Sequence, residues 1–355
     1  MRILLRSLLI TGLCFLYASL PAAILTVSND PSQPAQYADI TVAIAAASAG
    51  DTIYIHGTGD PYFSGTYTVD KQLVLIGPGK NPQKELSLLA ELSGPGGGGG
   101  ILEFTTGADG SQVFGLRIRN TIRCVGTVNN VLIQGCVIGS SISCDGTAMG
   151  ANWVLKDNIV RTGQGVVNPN AINLNASATN WIIENNVFGG RIRNATGVIF
   201  RHNIFIQNQS GFGDTFTGAC TGLQMEDNAF YGVSPQGCTS CTFDNNITFG
   251  AGNNNLPAGS TGSGNLIDQD PDFVDATLSV TTIQWRTFDF HLQSGSPAIG
   301  TGKSGDDIGL FGNPSTTQGG SANIPLIKSM SVDNPIVPAG GQLQLQLIST
   351  KPEGN

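Results

Sequence analysis

Arg201 and His202 stand side by side and form the pair in this chain best suited to catalysis. An imidazole can abstract a proton while a guanidinium neutralises a neighbouring carboxylate, the chemistry of a lyase acting on an acidic sugar. Arg117 and Arg119 flank Ile118, and Arg191 and Arg193 flank Ile192. On a strand both arginines of each pair face outward, where guanidinium groups can fork onto uronate carboxylates. Seven of the ten arginines lie between residues 117 and 201. However, residues 101–250 hold nine acids against eight bases, so no net basic patch follows. Asp268, Asp270, Asp272 and Asp275 have the spacing of an oxygen-rich loop for Ca²⁺, the one ion the sequence suggests. The glycine and closing Glu of an EF-hand loop are absent, and Pro271 marks a turn. His56 and His291 are isolated, and there is no nucleophile elbow, HExxH helix or phosphate loop.

Seven cysteines reduce to six once Cys14 is assigned to a leader. Ile122-Arg123-Cys124 recurs as Ile142-Ser143-Cys144, which places Cys124 and Cys144 one repeat apart. Cys220 and Cys238 each lie three residues before successive repeats. Both pairs are disulfide candidates, and stacked free thiols packing as small apolar groups serve equally well. Cys238-Thr239-Ser240-Cys241 has the local spacing of a metal knuckle but lacks a second pair or a nearby histidine.

The elements that must carry these residues come from a repeat. The segments 131–138, 153–160, 181–188, 198–205, 223–230 and 241–248 align without gaps. Positions one and three are apolar, four and five form a turn, and eight is apolar again. Position six is Cys136, then Asn158, Asn186, Asn203, Asn228 and Asn246, at spacings of 22, 28, 17, 25 and 18 residues. One strand–turn–strand unit of about twenty residues cannot bury its apolar stripe alone, and stacking on its neighbours makes a continuous core. Inward asparagines at a tight turn tolerate the left-handed conformation and can bond to the asparagine one coil above and below. They read as a structural ladder. Position four runs Gln134, Lys156, Glu184, Arg201, Glu226, Asp244, an alternating ridge of opposite charges. That ridge accounts for Arg201, and a solvated turn accounts for His202.

This pattern resembles the right-handed parallel β-helix family, which includes pectate-lyase-like and related surface proteins. Residues 40–55 look like the family's capping helix leading into a first strand, and residues 67–79 like its early coils. Asp270, Phe290, Gly295 and Asp307 lie in stretches similar to the closing segment of bacterial surface members. The resemblance implies an all-β fold with a short capping helix over residues 24–320. Residues 321–355, with alternating Leu343, Leu345 and Leu347, read as a small β appendage. The glycine-rich stretches 94–100 and 250–264 read as flexible loops between coils. No catalytic set carries over from the family, because Asp145, Asp157 and Asp214 fall in different parts of the coil.

Residues 1–23 have the basic start, apolar core and small-residue exit of a secretory signal. Without Arg2 and Arg6 the net charge of −8 becomes −10, which excludes nucleic acid as a partner. No later segment has the length and hydropathy of a membrane span. These readings describe an exported or cell-surface β-helix that binds a polysaccharide or cell-surface glycan, or acts as an adhesin or structural element, without catalysis. The alternative is a polysaccharide lyase or hydrolase acting on an acidic polysaccharide.

Overall fold

A computed structural model describes residues 22–79, 88–145, 150–160, 170–175, 178–206, 213–276, 278, 288–312, 326–332 and 345–350. Most of the expected leader lies outside them. The described chain winds into a parallel β-helix with three faces. The first sheet has ten strands, from Ile24–Val27 to Thr242–Asp244. The second has eight, from Glu91–Leu92 to Ile247–Phe249, and the third seven, from Thr66–Val69 to Phe216–Thr217. One coil runs through Leu132–Gln134, Val137–Ile138 and Ile142–Asp145, and the next begins in register at Val154–Lys156.

Two lines of left-handed residues cut the strands this short. One lies at position five of the repeat: Gly135, Asp157, Asn185, His202, Asp227 and Asn245. The other immediately precedes position one: Asn130, Asn152, Asn180, Gly197, Gly222 and Ser240. Asn, Asp and Gly tolerate positive φ best, so each line turns the chain at the smallest cost. The ladder asparagines themselves are not left-handed; they follow the residue that is, which corrects the role inferred for position six.

That placement frees the ladder side chains to point into the core, where all five are fully buried. The Oδ1 of Asn203 accepts from both the amide nitrogen and the Nδ2 of Asn186, each at 3.0 Å. Its own Nδ2 donates to Ile183 O at 2.8 Å and to Asn228 Oδ1 at 2.9 Å. The same pattern links Asn158 to Asn186 and Asn228 to Asn246. It runs one step further than the repeat alignment, onto Asn265. Residues 261–266 form this extra rung, with Thr261 bridging Thr242 and Leu266 bridging Ile247. A Cβ at Gly262 would stand 2.0 Å from Phe243 O, so only glycine lets the rung close in. This part of the 250–264 stretch is therefore packed chain. Residues 94–100 likewise hold a 3₁₀ turn, Pro95–Gly97, closed by a Gly94 N–H bond to Gly98 O of 2.7 Å.

Aromatic rings stack along the axis as the asparagines do. Trp153 lies on Trp181 at 4.8 Å between centroids, and Phe205 sits between Phe188 at 5.5 Å and Phe230 at 4.9 Å. Each such pair adds roughly 0.5–1.5 kcal/mol beyond the area it buries.

The ends are closed differently. The helix Ile40–Ala46 is capped by the Asp39 carboxylate on the Thr41 amide at 2.6 Å and buries Ile40, Ala43 and Ile44. It follows the first strand, Ile24–Val27, and leads into the second, Thr52–Ile55, rather than opening the solenoid. The free edge of Ile24–Val27 is covered by Gln36 and Tyr37, which bond to Thr26 and Ser28. Such cover removes a template for unwanted strand addition.

The C-terminal segment behaves unexpectedly. Outward residues of the second sheet, Val137, Ile159, Val187, Ile204, Ala229 and Ile247, are all buried. Phe273, Phe288, Phe290, Ala298, Ile308 and Leu310 join most of this column in a second apolar cluster outside the coil interior. The closing segment thus lies along the side of the solenoid instead of stacking on its end. Its antiparallel pair, Phe273–Asp275 with Asp289–Leu292, supplies part of that cover. Leu326–Val332 and Leu345–Thr350 pair antiparallel, as expected of a small β appendage.

Candidate functional site

The first sheet offers the contrasting surface. Position two points outward through Val74, Gln112, Leu132, Val154, Ile182, Ile199, Gln224 and Thr242, and position four through Ile76, Phe114, Gln134, Lys156, Glu184, Arg201, Glu226 and Asp244. Every one of these residues keeps partial or full solvent access. An aliphatic run through Leu132, Val154, Ile182 and Ile199, with Phe114 beside it, therefore keeps solvent access on the ten-stranded face. Asn130, Asn152 and Asn180 border it as a second, exposed ladder, with Asn152 Nδ2 donating to Asn130 Oδ1 at 2.9 Å and Asn180 Nδ2 to Asn152 Oδ1 at 3.3 Å.

The charged ridge forms in the expected order. Lys156 meets Glu184 at 3.0 Å and Arg201 meets Glu226 at 2.8 Å. Lys303, arriving from the closing segment, reaches Glu226 at 2.5 Å and Asp244 at 3.8 Å. Burial pushes the Glu226 carboxyl up, but the Lys303 hydrogen bond and the Arg201 charge outweigh it and hold the group below the usual glutamate range.

His202 occupies a left-handed turn and faces away from this ridge, into the closing segment. Its Nδ1 lies 3.2 Å from Gly309 O and its Nε2 3.6 Å from Asp227 Oδ2, with only 12% of its side chain exposed. Asp227 also accepts the Lys303 amide at 2.8 Å. Burial is the main influence on Asp227 and raises its carboxyl above the usual range, although the Lys303 amide and His202 pull it down. The other turn residues do the same work: Asn185 Nδ2 donates to Leu310 O at 2.8 Å and Asn245 Nδ2 to Thr301 O at 2.9 Å. Gly312 packs closely against the imidazole, since a Cβ there would stand 2.7 Å from His202 ring atoms. The turn line is thus a row of clasps holding residues 301–312. Arg201 and His202 are neighbours in sequence that serve different contacts.

The two arginine pairs do point outward around buried isoleucines, but on different faces. Arg117–Ile118 is in the second sheet, where Arg117 and Arg119 both grip Glu91, at 3.0 and 2.9 Å. Arg191–Arg193 is in the third sheet, with Asn173 and Thr217 the Cα partners of Arg193. They do not line one groove. Asp268 accepts from Asn254 Nδ2 at 2.6 Å and Asp270 from the Asp272 amide at 2.9 Å, so these acids brace turns. No group of three or more His, Cys, Asp or Glu among the described residues is arranged to hold a metal ion. His291 pairs with Asp289 and stacks on Phe311 at 3.9 Å, and His56 stands edge-on to Tyr54.

Cys124 pairs with Cys144, and Cys220 with Cys238, as direct Cα partners on adjacent rungs. All six described cysteines are free thiols. No helix among the described residues is long and apolar enough to cross a membrane. The open face was missed in the sequence although its signal was present: position two reads Leu, Val, Ile, Ile over four successive repeats, where a solvated strand would be polar. No protein-family model matches the chain, and no curated protein matches its sequence.

Proposed function

We propose that this chain is an exported surface protein whose solenoid holds an extended glycan along its open first sheet, as an adhesin or structural element and without catalysis. The observation that carries this reading is the contrast between two faces. Phe273, Phe288, Phe290, Ala298, Ile308 and Leu310 pack over the outward Ile159, Val187, Ile204, Ala229 and Ile247 of the second sheet, while the first sheet keeps every outward position accessible. On that open face the aliphatic column and Phe114 suit the C–H faces of sugar rings. The glutamines and the asparagine border suit hydroxyl groups, which accept and donate equally well. Rungs about 4.8 Å apart present the same pair of positions again and again to a polymer lying along the axis. The likeness to pectate-lyase-like proteins rests on the repeat and the fold, and fold alone assigns no reaction. Arg201 and His202, the residues a lyase would need, are engaged with Glu226 and with Gly309 and Asp227.

Affinity electrophoresis of the purified chain through gels containing acidic or neutral polysaccharides tests the reading. Retardation by one glycan, abolished in Ile182→Glu with unchanged thermal unfolding, is the expected result. Release of unsaturated uronate or new reducing ends, lost in Arg201→Ala or His202→Ala, would replace it with a lyase or hydrolase.

A further inference from the structure

The first sheet is not uniform along its length. Its outward columns begin before the charged ridge, with Tyr54 beside Ile76, Ile76 beside Phe114 and Phe114 beside Gln134 on successive rungs. Parallel to them run Thr52, Val74, Gln112 and Leu132. Tyr54 is 39% exposed and the others keep partial solvent access. None of these residues carries a carboxylate, an amine or a guanidinium. The His56 ring stands edge-on to Tyr54, at 5.4 Å between centroids, and steadies it.

Charge and spacing together narrow the ligand. Farther along the same face Lys156 is paired with Glu184, Arg201 with Glu226, and Lys303 with Glu226 and Asp244. These bases and acids balance, so no cation is left over to attract a polyuronate. The net charge of −8 repels such a chain at longer range. A neutral glycan meets neither obstacle.

Tyr54 and Phe114 lie two rungs apart in one column, which at about 4.8 Å per rung is about 10 Å. In an equatorially 1,4-linked chain successive sugars alternate in orientation. The same ring face therefore returns at every second sugar, a repeat close to that spacing. An axially 1,4-linked chain coils instead and offers no straight row of faces.

We propose that the N-terminal half of the first sheet is the specificity-determining subsite for a neutral, extended, equatorially 1,4-linked polysaccharide. Tyr54 and Phe114 stack on alternate sugars, and Gln112 and Gln134 bond to hydroxyl groups along the chain. The proposal rests on the first sheet being the glycan surface and narrows that reading to one class of polymer.

Affinity electrophoresis through gels of hydroxyethylcellulose, soluble starch or polygalacturonate, at low and high salt, supplies the test. Hydroxyethylcellulose should retard the chain equally at both salt concentrations, and the other two polymers should not. Tyr54→Ala and Phe114→Ala should each weaken the retardation roughly tenfold with unchanged thermal unfolding. Tyr54→Phe should keep most of it, and Lys156→Ala should leave it unchanged. Soluble cello-oligosaccharides should compete only from the trisaccharide upward, the shortest that reaches both rings. Equal retardation by starch would overturn the proposal, and so would hydroxyethylcellulose binding that survives both alanine variants. Retardation by polygalacturonate that fades with salt and is lost in Lys156→Ala would also overturn it, while leaving a glycan on the sheet. No retardation in any of the gels would remove the proposal together with the glycan reading beneath it.

Discussion

Asn203→Ala should be among the most damaging single substitutions in the solenoid, because it breaks the ladder at its centre. Its amide group makes four hydrogen bonds and is fully buried. Not all four are lost without replacement. The Asn186 side chain keeps Leu155 O and Glu184 O, and Asn228 Oδ1 keeps the Asn203 amide. The Asn186 N–H and the Ile183 carbonyl lose the Asn203 side chain as partner at a fully buried site. At about 1–3 kcal/mol for each buried group left unpaired, the cost is roughly 2–6 kcal/mol. Asn265→Ala at the end of the ladder removes the same kind of bond to Asn246, but solvent can reach it and the cost is about 1 kcal/mol or less. Asn203→Asp separates charge from shape. A carboxylate there faces Ile183 O and Asn228 Oδ1 without a proton to donate. Its folded pKa must then rise, so the variant loses stability as pH rises from about 4 to about 7. Urea midpoints, with hydrogen exchange to localise the unfolding coil, supply the comparison. Equal costs at Asn203 and Asn265, or a pH-independent Asn203→Asp, would refute the reasoning.

The contacts that hold the closing segment give further expectations. Glu226 titrates below the usual range in the folded chain, so it adds stability that is complete above the unfolded pKa of about 4.5 and is lost as pH falls through the lowered value. Glu226→Gln should flatten that acid limb in a series of thermal unfolding curves. Phe290→Ala, in the cluster over the second sheet, should cost about 3–5 kcal/mol and expose residues 288–312 to limited proteolysis before the coils are cut. Gly312→Val cannot avoid the His202 ring or Asp307 O, so it should release the same segment while circular dichroism of the sheets is retained.

Much of the architecture was legible in the sequence because a solenoid repeats its local rules. The six aligned segments identified the coil, and the order of charges at position four matched the observed stack from Gln134 to Asp244. The ladder and the turn at positions four and five were recognised, but the left-handed conformation was ascribed to the ladder asparagine instead of the residue before it. An asparagine at position six and an Asn, Asp, His or Gly at position five look alike until φ is known. Asn265 escaped because its rung is built from Gly262, Ser263 and Gly264 and lacks the apolar residues at positions one and three that defined the repeat. The lateral docking of the closing segment through Phe273, Phe288, Phe290, Ala298, Ile308 and Leu310 was not read, although consecutive apolar residues at positions seven and eight, as in Val187 and Phe188, announce a strand buried on both faces. His202 could not be assigned from sequence, since Gly309 and Asp227 reach it through contacts that no local pattern reports.

Hydroxyl-radical footprinting of the native chain, read residue by residue by mass spectrometry, tests most directly the claim that the closing segment covers the second sheet and leaves the first accessible. Leu132, Ile182 and Ile199 on the first sheet should be oxidised, while Ile159, Val187 and Ile204 on the second stay protected until the closing segment is released. Equal labelling of the two columns, or protection of the first sheet in the isolated chain, would contradict the account.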